Sequence, residues 1–472
     1  MKLIRFLKEE KHATVPDVFL DKQEVFIPLL VPKDHQMVIL TDAFDWDFLI
    51  SIGQSRREDS VVSTRGQTPH HRQLIGAVAV RSLKGCDYRT TEDLIKNYLP
   101  ARYMCNLENS TWTPDHNTIW VYETMLGVEG IKEVTDYVLR AAAKSGYADP
   151  KGLCSDTTAQ EANIPYPNEV GHMNSFLKSL QSNLATLGKN AKALPRKIIS
   201  GIKSKFSEVA KKVRSHRLFA KTQDAKKIIN EELFALTSSM VSGLGDLLTE
   251  LDLKKNQIKG SGKTALNNLG LIFNNMNLML PQILTWITKG KVVSGKIISL
   301  FNTEFRAIKR GKMGKKVEFG LKYGINQIRG GYVSIFTMCH MMGHDAEYSV
   351  QAIKEHIRIF GQPPKDYGFD RGGWSQEHLK EIKKLKVKNI AVSPKGKSKW
   401  LVGPQIQEKM ISERTQVEGK IGTMKSFGFN KPKAKTNPAV IRTALMAGLC
   451  LNLKRFAKDL ANTKAMQMAT AS

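Results

Sequence analysis

The sequence predicts an α/β protein: a mixed sheet flanked by helices, interrupted by a large helical insertion and preceded by a helical N-terminal region. Three observations carry this expectation. The hydrophobic period changes from about 3.6 to 2 near Val317; strand-like and helical stretches alternate from there onward; and a short apolar run, Leu153-Cys154, interrupts an otherwise helical first half. At 472 residues the chain exceeds what one hydrophobic core serves, so two or three packed units are expected.

Residues 1–68 mix short apolar runs with many polar positions and read as an irregular, partly helical lead-in. "RQLIGAVAVRSLKG" is a helix of small apolar residues closed by Gly85. "TTEDLIKNYLPARYMCNL" reads as a helix with a Thr cap and an acidic first turn, and "TPDHNTIWVYETML" as one opened by a Pro turn and a Thr. A further helix, "GIKEVTDYVLRAAAKSG", ends at Gly146. A strand then carries Asp156 at its end, followed by a second extended piece, "EANIPYP". Residues 172–310 return to helical spacing, with breaks expected at Pro195, Gly201, Gly243, "KGSGK" and Gly290. "KKVEFGLKYGINQIRGGYVSIFTM" is a hairpin turning at Arg329-Gly330-Gly331. After it come a helix ("EYSVQAIKEHIRIF"), the short strand "DYGFD" ending on Asp370, a helix ("SQEHLKEIKKL"), a strand ("VKNIAVS") and a long helical terminus.

Composition narrows the partners. Lys and Arg number 72 against 44 Asp and Glu, a formal charge of +28, and a polyanion is the natural partner. Thirteen of the cations fall between Lys189 and Lys227, opposed only by Glu208 and Asp224. Such a run is commonly a solvated face, but the chain-wide excess favours contact with a nucleic-acid backbone, with Lys211, Lys212 and Arg214 at its centre. Five widely spaced cysteines without a CxxC pair suit a reducing cytoplasm without structural zinc. "MKLIRFLKEEKHATVPD" turns charged too early for a signal peptide, and "LMLPQILTWI" is too short and broken to span a membrane. A cytoplasmic protein with no membrane partner is expected.

Asp156 poses the chemical question, because a carboxylate beside a buried strand is costly unless paired, hydrogen-bonded or bound to metal. Asp370 ends another strand, and "ISERTQVEGKIGTMK" supplies a helical acid, Glu418. Strand-end aspartates are most often turn residues. Together, however, three oxygen donors suit magnesium, and two such ions about 3.5–4 Å apart can activate a water and stabilise a departing oxygen at a phosphodiester. Ile411, Arg414, Glu418 and Lys425 fall on one helix face at about 100° per residue. Alone, Arg414 and Glu418 at i,i+4 read as an ordinary surface ladder.

Arg414-x3-Glu418-x6-Lys425 resembles the helix signature of bacterial insertion-sequence transposases of the DDE type, with Ile411 where that family normally has Tyr. "SDTTAQEANIPYP" resembles the family's first-aspartate strand, "VEFGLKYG" the strand after it, and "YGFDRGGWS" the second-aspartate site. "HRQLIGAVAVRSLKGCDYRTTEDLIKNYLPARYMCNL…TPDHNTIW" is similar to the family's helical N-terminal domain. The resemblance spans roughly residues 65–455 in order.

It implies a ribonuclease-H-like fold. A mainly helical DNA-binding or dimerisation domain would occupy 1–146, a catalytic domain 147–171 and 311–455, a basic helical insertion 172–310, and a tail 456–472. Asp156, Asp370 and Glu418 would bind two Mg2+ ions, with Mn2+ able to substitute, while Arg414 and Lys425 hold DNA phosphates. The implied reaction is cleavage at transposon ends followed by attack of the freed 3′-hydroxyl on target DNA, in a homodimer or larger assembly on DNA. The implied location is the nucleoid of a bacterium or archaeon. A nuclease on the same fold without strand transfer, and an inactive DNA-binding derivative, are the rival readings.

Several other features invite competing assignments. Glu413 is an alternative third acid outside the spacing, Asp366 a rival to Asp370 at the strand's beginning, and Glu161 a family match that a turn explains equally well. Gly262-Lys263-Thr264 ends like a phosphate-binding loop, but Gln257 replaces the required glycine and no strand precedes it, so no ATP is expected. Cys339, His340 and His344 lack the Glu of a zinc helix, and His70-His71 reads as a surface pair.

Overall fold

The computed structural model describes residues 31–59, 68–190, 194–252, 258–309, 317–338, 344–434 and 436–471. The chain forms two compact units, Met1–Gln160 with Lys322–Ser472, and Glu161–Leu321. It is a mixed α/β protein, as the alternating periods predict.

The first unit opens with α1 (Gln36–Ala43), α2 (Trp46–Asp59), α3 (His71–Lys84), α4 (Tyr88–Asn97), α5 (Leu99–Met104) and α6 (His116–Lys144). α3 buries an almost continuous run from Leu74 to Val80 and stops at Gly85 in the left-handed conformation. The expected Thr cap is corrected to Asp87, whose side chain accepts the Thr90 amide. The single helix expected there is two, because Pro100 cannot extend α4 and instead starts α5. Conversely, the two helices expected over 113–146 form one kinked element, broken only at Gly127 (φ 67°). His71 is not at the surface: it is buried, with Nδ1 3.0 Å from the Tyr122 hydroxyl.

β1 (Asp149–Glu161) then enters the sheet. It continues well past Asp156, so that acid lies within the strand and not at its end. "EANIPYP" forms no second strand: after Glu161 the chain is irregular, as Pro165 and Pro167, which have no amide hydrogen, favour.

The second unit contains α7 (Glu169–Asn190), α8 (Arg196–Lys203), α9 (Phe206–Leu218), α10 (Gln223–Asp252), α11 (Ser261–Lys289) and β2 (Arg306–Lys309). Its own core gathers Met173, Phe176, Leu180, Leu244, Leu269 and Met276. Gly201 and Gly243 lie inside α8 and α10 and do not break them, since a helical glycine costs only about 1 kcal/mol against the burial of a whole face. Gly262-Lys263-Thr264 sits in the first turn of α11; Gln257 lies outside the described residues. β2, unforeseen in a stretch read as helical, pairs antiparallel with the first residues of β3 (Val317–Arg329).

Back in the first unit, β3 turns through Gly330 and Gly331, with φ of 105° and 85°, into β4 (Tyr332–Thr337). Positive φ at both loop positions is what a two-residue hairpin requires. α12 (Asp345–Phe360), β5 (Asp366–Phe369), α13 (Gln376–Lys384), β6 (Asn389–Val392), α14 (Pro404–Met424) and α15 (Asn437–Ala471) complete it. Strand β3 neighbours β1, β1 runs parallel to β5 and β5 parallel to β6, while β4 pairs antiparallel with β3. α14 lies against β5 and β6, burying Met410, Val417 and Met424 one heptad apart. Among the described residues no helix is long and apolar enough to cross a membrane.

Candidate active site

The site begins with strand register. Gly152 pairs with Asp366, Leu153 with Tyr367 and Cys154 with Gly368 in the parallel β1–β5 ladder. Two residues further along, the same register sets Asp156 beside Asp370, on strands about 4.8 Å apart. Side chains alternate along a strand, so both acids share the face of Cys154 and Gly368. That is the face α14 covers: Cys154 Sγ donates to the Met410 carbonyl at 3.7 Å.

Each acid is fixed by local backbone. Asp156 Oδ1 accepts the Thr157 amide at 2.7 Å. Asp370, the residue after β5, caps the 3-10 turn Arg371–Gly373, its Oδ1 accepting the Gly372 amide at 2.8 Å. Burial pushes the Asp156 carboxyl up to about 6; the charges of Asp370 and Glu418 push the same way, against the Thr157 amide and Arg414. Burial and the charge of Asp345 raise Asp370, with Arg414 again opposing.

Glu418 stands on α14 with its side chain 59% exposed, and Arg414 reaches it at 3.3 Å. The Arg414 side chain is mostly covered, and its Nε is buried without a hydrogen-bond partner. Ile411 is exposed on the same face. Lys425 follows at the helix's end, where a π-helical turn, Lys425–Phe429, begins. Asp156, Asp370, Glu418 and Arg414 are thus near enough for their charges to act on one another. Among the described residues, no three His, Cys, Asp or Glu side chains are drawn tightly enough together to hold a metal ion as they stand.

The chemistry of the donor set fits a hard divalent cation. The three acids offer only oxygen, two of them hold proton affinities raised by burial and neighbouring negative charge, and the third projects from a helix with most of its side chain exposed beside Arg414. A cation between them would relieve that repulsion.

The rival acids have other partners. Arg329, at the end of β3, donates to Glu413 at 2.6 Å, to Asp149 at 3.1 Å and to Asp366 at 3.1 Å; Asn389 also donates to Asp366 at 2.7 Å. Glu413 and Asp366 therefore tie α14 to the sheet. Glu161 ends β1 as the first residue of the second unit. Of the histidine and cysteine trio, Cys339 and His340 lie outside the described residues, and His344 is the residue before α12, with no side-chain capping bond.

Two residues of the acid neighbourhood, Asp345 and Lys322, carry no signal in the sequence. Asp345, in the first turn of α12, accepts from Lys322 Nζ at 2.6 Å and from Thr157 Oγ1 at 2.8 Å. An acid there reads as a helix-dipole partner, and only the fold brings it to Asp370.

In the second unit, Lys211 and Arg214 are exposed on α9. Lys212 differs: its ammonium is bound to Glu232 at 2.6 Å.

Residues 27–124 match the family model described as Transposase domain (DUF772). The match supports a transposase function in general terms. Comparison with curated proteins and with solved structures gave no match.

Proposed function

We propose that this chain is a DDE-type transposase with a ribonuclease-H-like catalytic sheet, cutting DNA at transposon ends and joining the freed end to target DNA. The observation that carries the proposal is the β1–β5 register, which sets Asp156 beside Asp370 under the helix that bears Arg414 and Glu418. The element order supports it too: one acid-bearing strand, a long helical insertion, a hairpin, then helix, strand, helix, strand and helix.

Asp156, Asp370 and Glu418 would hold two Mg2+ ions, with Mn2+ as a substitute, through carboxylate oxygens. Bound ions of this kind supply an activated oxygen nucleophile and charge stabilisation at the leaving oxygen. In the first step a water oxygen forms a bond to phosphorus while the bond to the 3′-oxygen breaks, leaving a 3′-hydroxyl. In the second, that hydroxyl attacks a target phosphodiester, its proton passes to solvent, and one target strand end departs. Arg414 presents a planar fork to a non-bridging phosphate oxygen, and Lys425 a point charge. The exposed cations Lys211 and Arg214 suit contact with the duplex backbone. DNA is the partner, held by a homodimer or larger assembly that brings two ends together.

The test is cleavage and joining on DNA carrying the element's own ends, with Mg2+ or EDTA. Asp156→Asn, Asp370→Asn and Glu418→Gln should each abolish cutting while end binding persists. Loss of binding in these variants would make the acids structural. Cleavage without joining of a pre-cut end would leave a nuclease, and neither activity would leave a DNA-binding derivative.

A further inference from the structure

We propose that Asp345 is a positioning residue of the acid site, strapping the strand that carries Asp156 to the turn that follows Asp370. This rests on the transposase reading above and adds a residue that the three-acid pattern does not contain.

The geometry is reciprocal. Thr157 gives its amide to Asp156 Oδ1 at 2.7 Å and its hydroxyl to Asp345 Oδ1 at 2.8 Å. Gly372 gives its amide to Asp370 Oδ1 at 2.8 Å, and its bare Cα faces Asp345. A Cβ on Gly372 would lie 2.5 Å from Asp345 Oδ2 and 2.9 Å from Asp370 Oδ1, so a larger residue there would displace these carboxylates from their present places. Asp345 therefore touches the residue that orients each acid. Adjacent parallel strands fix the acids along the sheet, and Ser393 still donates to the Phe369 carbonyl at 3.1 Å at the end of β5; beyond that bond the turn at Gly372 packs against Asp345 at the start of α12.

Lys322 explains how a third carboxylate is tolerated here. Its ammonium sits 2.6 Å from Asp345 Oδ1 and partly offsets the repulsion that Asp345 adds beside Asp370. With one oxygen shared between an ammonium and a hydroxyl, Asp345 is suited to holding neighbours and not to ligating an ion itself. Outer residues of this kind typically alter metal affinity by about 10–100-fold.

The test measures Mn2+ alone binding to the full-length protein by calorimetry, beside end-DNA binding in EDTA and the unfolding midpoint. Asp345→Ala should weaken Mn2+ binding by roughly tenfold or more. Asp345→Asn keeps an acceptor for Thr157 and should stay within about threefold of wild type. Thr157→Val, which deletes only the hydroxyl, should weaken Mn2+ binding in a protein that folds normally, even where Asp345→Ala does not fold. DNA binding in EDTA should be unchanged in all three. Unchanged Mn2+ affinity in Thr157→Val, or in a folded Asp345→Ala, would overturn the strap. Equal loss in Asp345→Asn and Asp345→Ala would overturn it in favour of direct ligation. A wild type that binds no Mn2+ would sink the metal-dependent reading itself, and the strap with it.

Discussion

Asp156 concentrates the physics of the site at the residue scale. It sits within a strand, where its ionised form is held at a cost: burial first, then two neighbouring anions, raise its proton affinity from 3.8 to about 6. The folded chain thus binds this proton more tightly than the unfolded chain does. Its contribution to stability is whole below the ordinary carboxylate value and is lost as pH rises through about 6. Asp156→Asn should therefore raise the unfolding midpoint at pH 7.5 in EDTA, at roughly 2–4 °C per kcal/mol. It should also flatten the fall in stability between pH 4 and about 6. Scanning calorimetry reads both, and a lower midpoint would mean that the carboxylate supports the fold. The sequence pointed to this residue because an acid in an apolar strand demands a reason. It could not point to Asp345, whose position at the polar start of a helix is ordinary until Thr157 and Gly372 come to meet it.

At the scale of elements, helix α14 must be held at one angle across the sheet if Glu418 is to face Asp156. Its apolar stripe is thin: Met410, Val417 and Met424 are its buried residues. Arg329 adds the polar tie, joining Glu413 on α14 to Asp149 and Asp366 on β1 and β5. These three acids hold the Arg329 charge firmly, although burial works against it. Arg329→Met should cost stability near the low end of the roughly 3–5 kcal/mol of a broken buried pair, because a quarter of the side chain still meets solvent. Urea unfolding at constant slope measures it; a change under about 1 kcal/mol would class the network with exposed pairs. Element types were legible where period and punctuation agreed, as in the Gly330-Gly331 hairpin and the Gly85 helix end. They were not where chain neighbours compete. Asp87 takes the capping role read for a threonine, Pro100 divides a helix, and β1 runs on through Thr157 and Thr158 beyond the acid read as its end.

At the scale of the whole molecule, the charge of +28 would govern how the chain meets the DNA proposed as its partner. The run centred on Lys211 is not uniform, since Glu232 neutralises Lys212 while Lys211 and Arg214 stand exposed. Replacing Lys211 or Arg214 with Gln should reduce the salt dependence of end-DNA binding by about 0.9 in log–log slope for each phosphate no longer neutralised. Lys212→Gln should change it less. Fluorescence anisotropy across a salt series checks this, and equal slopes for all variants would make α9 a solvated face. Net charge and its clustering were readable from composition; which cations are already paired is a property of the folded unit alone.

The central claim is that Asp156, Asp370 and Glu418 come together around divalent ions. Fe2+ substituted at the site, with ascorbate and peroxide, generates radicals that cut the polypeptide close to where the ion sits. The account predicts backbone scission near residues 156, 370 and 418 together, suppressed by Mg2+ and by Asp156→Asn. Scission near one of these positions without the other two, or none that Mg2+ suppresses, would contradict it.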